Sequence, residues 1–129
     1  MINNTKEAAQ LYADAWNTLD FSNFFNELHD DCKYTSQFVL EEFNSKNKII
    51  DYFSGKVQTI KNSGHKVLAK MATLNRSASL LPPIGSPCVA MYQGKSNEIA
   101  LVVLFNVCDG KICEVNLCMP ELYGVNIDD

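Results

Sequence analysis

Tyr12 is the side chain in this sequence whose position most invites chemistry. It belongs to the set Ala8, Leu11, Tyr12, Ala15, Trp16 and Leu19, which recurs at the i, i+3, i+4, i+7 spacing of one helix face. A tyrosine on such a stripe turns its ring inward, and its hydroxyl then needs a partner. That partner is either a backbone carbonyl of the core or an oxygen of a bound molecule, towards which the hydroxyl acts as donor or acid. Trp16, one turn on, either walls a pocket or packs against Phe24 and Phe53. Tyr34, Ser36 and Phe38 alternate onto one face of a predicted strand. Ser36 can orient a ligand oxygen, but no histidine is placed to make it a nucleophile.

The other titratable residues read as structural. His29 is expected at the end of a helix, where a partly charged imidazole suits the dipole, and His65 at the start of a strand. Neither falls on an apolar stripe. Asp30-Asp31 has the look of a metal-ligand pair, yet no nearby histidine completes a site, and adjacent carboxylates before a strand commonly serve turns and caps. Glu41-Glu42 reads as a solvated strand end. Glu114 and Asn116 share one face of the last predicted strand, with Val115, Leu117 and Met119 on the other, so Glu114 is expected to point away from the core. No metal and no cofactor is expected.

The elements that must position these side chains follow one another with little slack. Asn4 is a predicted N-cap with Glu7 answering it in a capping box. Asp20 opens a second short helix, on which Phe21, Phe24, Phe25 and Leu28 repeat the helical spacing. A strand is predicted over residues 32–43, its imperfect period allowing an end near Phe38. Asn44 or Ser45 caps a third helix with Ile49, Ile50, Phe53, Val57 and Ile60 inward, and Asn62-Ser63-Gly64 ends it. From His65 the period becomes two, with Val67, Ala69 and Met71 on one face. Residues 75–87, with Pro82-Pro83 and Gly85-Ser86-Pro87, are expected to be an irregular pocket rim or partner surface. Three strands follow near residues 88–93, 97–107 and 112–119, and Asp109-Gly110 is a hairpin signal between the last two.

Composition sets the limits. The 129 residues suffice for one domain spanning 1–129, with an ordinary 47% hydrophobic and 20% charged residues. A net charge of −4 with scattered basic residues gives no footprint for a phosphate backbone, so nucleic acid is not an expected partner. The longest apolar stretch, Ile99 to Phe105, is far short of the roughly 20 residues of a membrane-spanning helix, and no secretory leader is recognised. A cytoplasmic location is the expectation. The five cysteines are accordingly read as reduced thiols, Cys108 and Cys113 facing each other across the hairpin turn without a bond.

The order helix–helix–strand–helix–four strands resembles the nuclear transport factor 2-like (NTF2-like) superfamily, in its SnoaL-like and ketosteroid-isomerase-like branch, over nearly the whole chain. The residues that carry the likeness are Tyr12-x-x-x-Trp16-x-x-Leu19-Asp20, Asp30-Asp31, Ile49-Ile50-Asp51-Tyr52-Phe53 and Asp109-Gly110-Lys111-Ile112-Cys113-Glu114. The resemblance implies an α+β cone, a curved mixed or antiparallel sheet packed on three N-terminal helices in a cystatin-like roll. In ketosteroid isomerases a first-helix tyrosine and a sheet acid hold an oxyanion while a first-strand carboxylate moves the proton. Carried over, the tyrosine falls on Tyr12, the base at or beside Ser36, and the sheet acid near Val102 and Val103, so one role of three is filled.

The lining expected for the pocket is Tyr12, Trp16, Tyr34, Ser36, Phe38 and Phe53 from the first half, with Met71, Met91, Val115, Leu117 and Met119 from the strands. It suits a small hydrophobic ligand held by few hydrogen bonds, and equally a filled core in a domain that acts only as a dimeric scaffold. The alternative is an isomerase, dehydratase or cyclase with Tyr12 as acid or oxyanion donor and Ser36 assisting. Because Ala100, Val102 and Leu104 on one face and Leu101, Val103 and Phe105 on the other are all apolar, the face without helices is expected to be buried in a homodimer formed through the sheet.

Overall fold

The computed structural model describes residues 2–38, 42–77 and 83–128. Helix α1 (Thr5–Thr18) starts where expected: Asn4 Oδ1 accepts from the Glu7 amide, and Glu7 Oε2 accepts from the Asn3 amide. It ends at Leu19, which takes a left-handed conformation, and the chain turns into the five-residue α2 (Ser22–Asn26). Then follow β1 (Leu28–Ser36), β2 (Glu42–Phe43), α3 (Lys46–Ser63), β3 (Val67–Ser77), β4 (Pro87–Gln93), β5 (Leu101–Cys108), β6 (Lys111–Cys118) and β7 (Tyr123–Ile127). The strands form one seven-stranded sheet in the order β2-β1-β6-β5-β4-β3-β7, with β1 parallel to β6 and the other pairs antiparallel. The architecture is the α+β roll expected from the sequence, a curved open sheet with the helices on one face.

Several expectations need correcting. Strand β1 begins at Leu28, so His29, Asp30 and Asp31 lie inside it rather than in a helix end and turn. Ile112 of β6 donates to the Glu27 carbonyl at 2.7 Å and draws the chain into the sheet there. The register between β1 and β6 shifts between Leu28 and Lys33, and within that irregular stretch the Asp31 amide donates to His29 Nδ1. At the other end β1 stops at Ser36, and Phe38 is 47% exposed. Of the supposed loop, residues 75–77 belong to β3 and Pro87 to β4, while 78–82 lie outside the described residues. Val39, Leu40 and Glu41 also lie outside them; Glu42 pairs with Lys33 at 3.3 Å. The hairpin turn does form at Asp109-Gly110, both with positive φ. Its two cysteines are bonded: Cys108 and Cys113, with Cα atoms 5.6 Å apart, form a disulfide, whereas Cys32, Cys88 and Cys118 are free and buried.

Strand β7 is the element the sequence hid. It leaves the end of β6, crosses to the far edge and pairs with β3 from Ala72 to Ser77. The crossing brings Tyr123 beside Cys118 and Gln37, and Gln37 Oε1 accepts from the Met119 amide. The sheet therefore has apolar cores on both faces. On the helix side Tyr12, Phe24, Tyr34, Ile49, Phe53 and Val115 are fully buried. On the other side Ala72, Leu74, Cys88, Ala90, Val102 and Leu104 pack with Cys118 and Tyr123. Val102 (0% exposed) and Leu104 (4%) are thus covered within one chain, which removes the argument for a dimer drawn from them.

Where β7 does not reach, the first half of β3 is completed by a side chain. Asn17 of α1 donates from Nδ2 to the Ala69 carbonyl (2.9 Å) and accepts the Ala69 amide on Oδ1 (2.8 Å), tying helix to strand.

Candidate functional site

A cavity of about 570 Å³ opens between α1, α3 and one end of the sheet. Helix α1 supplies Tyr12 and Trp16. Helix α3 supplies Tyr52, Phe53, Gly55, Lys56, Thr59 and Ile60, a run whose members at 52, 55, 56, 59 and 60 share one helical face. The sheet supplies Val67, Met91, Gln93, Leu101 and Leu117. Pairing sets this row, since Val67 stands opposite Gln93 and Met91 opposite Leu101. Depth and mouth differ in kind. Tyr12, Trp16, Phe53, Met91 and Leu117 are buried, whereas Gly55, Lys56, Thr59 and Gln93 are exposed at the rim.

The floor is aromatic. The Tyr12 ring meets Phe24 and Phe105 edge-on with centroids 5.3 Å apart, and also Trp16, Phe21 and Phe53. Beyond it the Tyr34 hydroxyl donates to the Tyr52 hydroxyl at 3.3 Å. Burial holds the Tyr12 hydroxyl protonated far above the usual tyrosine range, and the indole of Trp16 pulls weakly the other way. Burial, reinforced by Tyr52, does the same to Tyr34. Although Trp16 lies close enough to influence Tyr12, no acceptor stands in line with its N–H. Trp16 Nε1 is the buried side-chain nitrogen or oxygen without a hydrogen-bond partner among the described residues. Leaving such a donor unmet costs about 1–3 kcal/mol.

Five of the sequence candidates, Tyr12, Trp16, Phe53, Met91 and Leu117, are brought together around this cavity. Six are not. Phe38 faces solvent because the strand has ended before it. Tyr34 and Val115 are paired across β1 and β6 and are sealed in the core, with Tyr52 and Phe53 packed against the Tyr34 ring. The Ser36 hydroxyl accepts the Phe38 amide at 3.2 Å and lies beside the Tyr34 hydroxyl, away from the cavity wall. Met71 is four residues, roughly 13 Å, along β3 from the lining residue Val67. Met119 lies past the end of β6, where its amide is held by Gln37.

Tyr52, Lys56, Thr59 and Gln93 escaped the sequence reading because it followed the most apolar stripe of α3. The cavity is lined instead by the shoulder of that helix, which carries Gly55 and Lys56. The signal was the i, i+3, i+4, i+7, i+8 recurrence counted from Tyr52. No aspartate, glutamate or histidine lines the cavity among the described residues, and no cluster of metal-ligating side chains occurs among them. No helix there is long and apolar enough to cross a membrane.

No protein-family model matches the sequence, and no curated protein matches it. Solved structures do. A SnoaL-like protein of unknown function from Burkholderia thailandensis superposes with a TM-score of 0.62 at 11% identity, covering 97% of this chain and 94% of that one. An NTF2-like protein of unknown function from Cytophaga hutchinsonii gives 0.55 at 12% identity, covering 99% and 92%. An LEH-like epoxide hydrolase from M. tuberculosis gives 0.55 at 14%, covering 96% and 82%. At these identities the shared property is the architecture alone, and in that architecture this chain has the NTF2-like fold.

Proposed function

We propose that this chain binds one small, largely apolar molecule in the cavity between α1, α3 and the sheet, with a neutral oxygen of that molecule accepting the Trp16 N–H. The observation that carries the reading is an aromatic cavity of about 570 Å³ lined in part by Trp16, whose buried Nε1 is without a hydrogen-bond partner among the described residues. Such a volume lies in the range of small-molecule sites, and an apolar lining with few polar groups is their usual composition. A bound carbonyl or ether oxygen would satisfy the donor and recover part of what it costs to leave it bare. The NTF2-like and SnoaL-like neighbours are consistent with a small-molecule-binding domain.

The test uses the neutral probe N-phenyl-1-naphthylamine and the emission of Trp16, the one tryptophan of the chain. The probe is expected to saturate at one per chain and to perturb Trp16 emission, and 2-decanone is expected to displace it. In Trp16→Phe, with the probe itself still binding, 2-decanone should compete about 2–10-fold less well, the worth of one hydrogen bond. Absence of saturable probe binding to the folded protein would overturn the reading.

A second reading rests on the neighbouring hydroxyl. Tyr12, held protonated beside the Trp16 N–H, presents an acid or oxyanion donor of the kind an isomerase, dehydratase or cyclase uses. It has no carboxylate or imidazole partner in the lining, and for that reason binding is preferred. Turnover of a carbonyl or epoxide substrate that Tyr12→Phe lowers by orders of magnitude would reverse that preference.

A further inference from the structure

We infer that the molecule held in this cavity is an amphipathic carboxylate, with its apolar body inside and its anionic head at the mouth between Lys56 and Lys66. The inference rests on the binding reading above and adds the chemistry of the ligand's outer end. At the rim, Lys56 projects from the α3 shoulder, with Nζ 4.9 Å from the centre of the Tyr52 ring, and Gln93 and Thr59 add uncharged polar groups. Directly beside the mouth, and sharing Ile60, Val67 and Gln93 with it, lies a notch lined also by His65, Lys66 and Gly94. No carboxylate lines the cavity or the notch among the described residues. Asp51, one turn before Gly55 on the same helix, is exposed and is not part of either lining.

That sign is opposite to the sign of the whole chain. Fifteen acidic residues against eleven basic ones leave a net charge of −4, yet the charged side chains around this opening are cations. A carboxylate here stays in contact with water, so it avoids the cost of burying a charge while gaining two ammonium groups and the Gln93 amide as partners. An anion carried to the floor would instead be stripped of water with only the Trp16 and Tyr12 donors to replace it. The neutral acceptor therefore goes inward and the charge outward. Field lines from a cationic rim around an apolar hole also favour capture of an anion over a neutral chain of the same length.

Two competitors that differ in one group test this. 9-Oxodecanoate is 2-decanone with its terminal methyl replaced by carboxylate, and each is titrated against bound N-phenyl-1-naphthylamine. The carboxylate is expected to displace the probe at about tenfold lower concentration than the ketone. The advantage should shrink several-fold in 0.5 M salt, since exposed charges are screened, and should vanish in Lys56→Gln/Lys66→Gln, where the ratio of the two competitors is read within the variant itself. Equal or better competition by 2-decanone, or an advantage that survives the double substitution, would overturn the inference while leaving the binding reading intact. Failure of the probe itself to bind would instead remove the binding reading and this inference with it.

Discussion

Gly55 stands in the interior of α3, at the rim of the cavity, and the structure gives no packing reason for it. A Cβ built there meets nothing within 4 Å, and the backbone is not among the positive-φ positions that favour glycine. In a helix interior glycine is about 0.8–1 kcal/mol less favourable than alanine, chiefly through the freedom it retains when unfolded. Gly55→Ala should accordingly stabilise the protein by about 0.5–1 kcal/mol. With an unfolding entropy of about 2.1 cal/mol/K per residue, a chain of this length converts that gain into a rise of about 2–4 °C in Tm. Paired thermal scans by circular dichroism or calorimetry, without ligand, resolve such a shift. Gly55→Phe provides the complement: a ring at the rim should leave Tm near that of the parent but weaken N-phenyl-1-naphthylamine binding at least fivefold. An unchanged or lowered Tm for Gly55→Ala would mean that this turn is not open helix, and the described mouth would be wrong.

Three further outcomes follow from the same contacts. Asn17→Ala removes both hydrogen bonds to Ala69 and should cost about 2 kcal/mol in urea unfolding; an unmoved midpoint would show that the amide is not engaged. Burial raises the hydroxyls of Tyr12, Tyr34 and Tyr123, so the folded state holds protons that the unfolded chain releases above about pH 10. Stability is then fully present below pH 10 and falls as pH rises beyond it, and phenolate absorbance from Tyr12 and Tyr34 should appear only together with unfolding; their ionisation in the native protein would contradict the packing. Burial also pushes Cys32 and Cys88 up to about 12 and Cys118 up to about 11, so native protein should not react with a thiol reagent, while denatured, unreduced protein should titrate three thiols. Reducing Cys108–Cys113, which closes a short loop, should cost about 2 kcal/mol.

The parts of this fold that could be read from the sequence were those decided locally. The Asn4 and Ser45 caps, the Gly64 helix end and the Asp109-Gly110 turn are short-range solutions to short-range problems, and all four occur. What failed depended on distant partners. Phe21, Phe24, Phe25 and Leu28 keep a helical spacing past the true end of α2, because Leu28 is claimed by Ile112 across the sheet. Strand β7 is only five residues with a glycine and an asparagine, and its identity comes from β3, which lies on the far side of the roll. The apolar character of both faces of β5 was legible; that the second face is buried within one chain, in a cluster with Cys118 and Tyr123, was not. In the site, the buried wall residues Tyr12, Trp16, Phe53, Met91 and Leu117 follow from periodicity, whereas the rim depends on how α3 is rotated over the sheet.

Asn17 has a meaning beyond the strength of its two hydrogen bonds. Strand β7 covers β3 only from Ala72 onward, so the amide and carbonyl of Ala69 face outward from an uncovered strand edge. Such an edge is a template on which another extended chain can add, and proteins that leave one open tend to aggregate through it. The Asn17 carboxamide, which offers one donor and one acceptor at peptide spacing, occupies the place a foreign strand would take. A helix side chain thereby keeps the sheet from growing in the direction where its own last strand falls short.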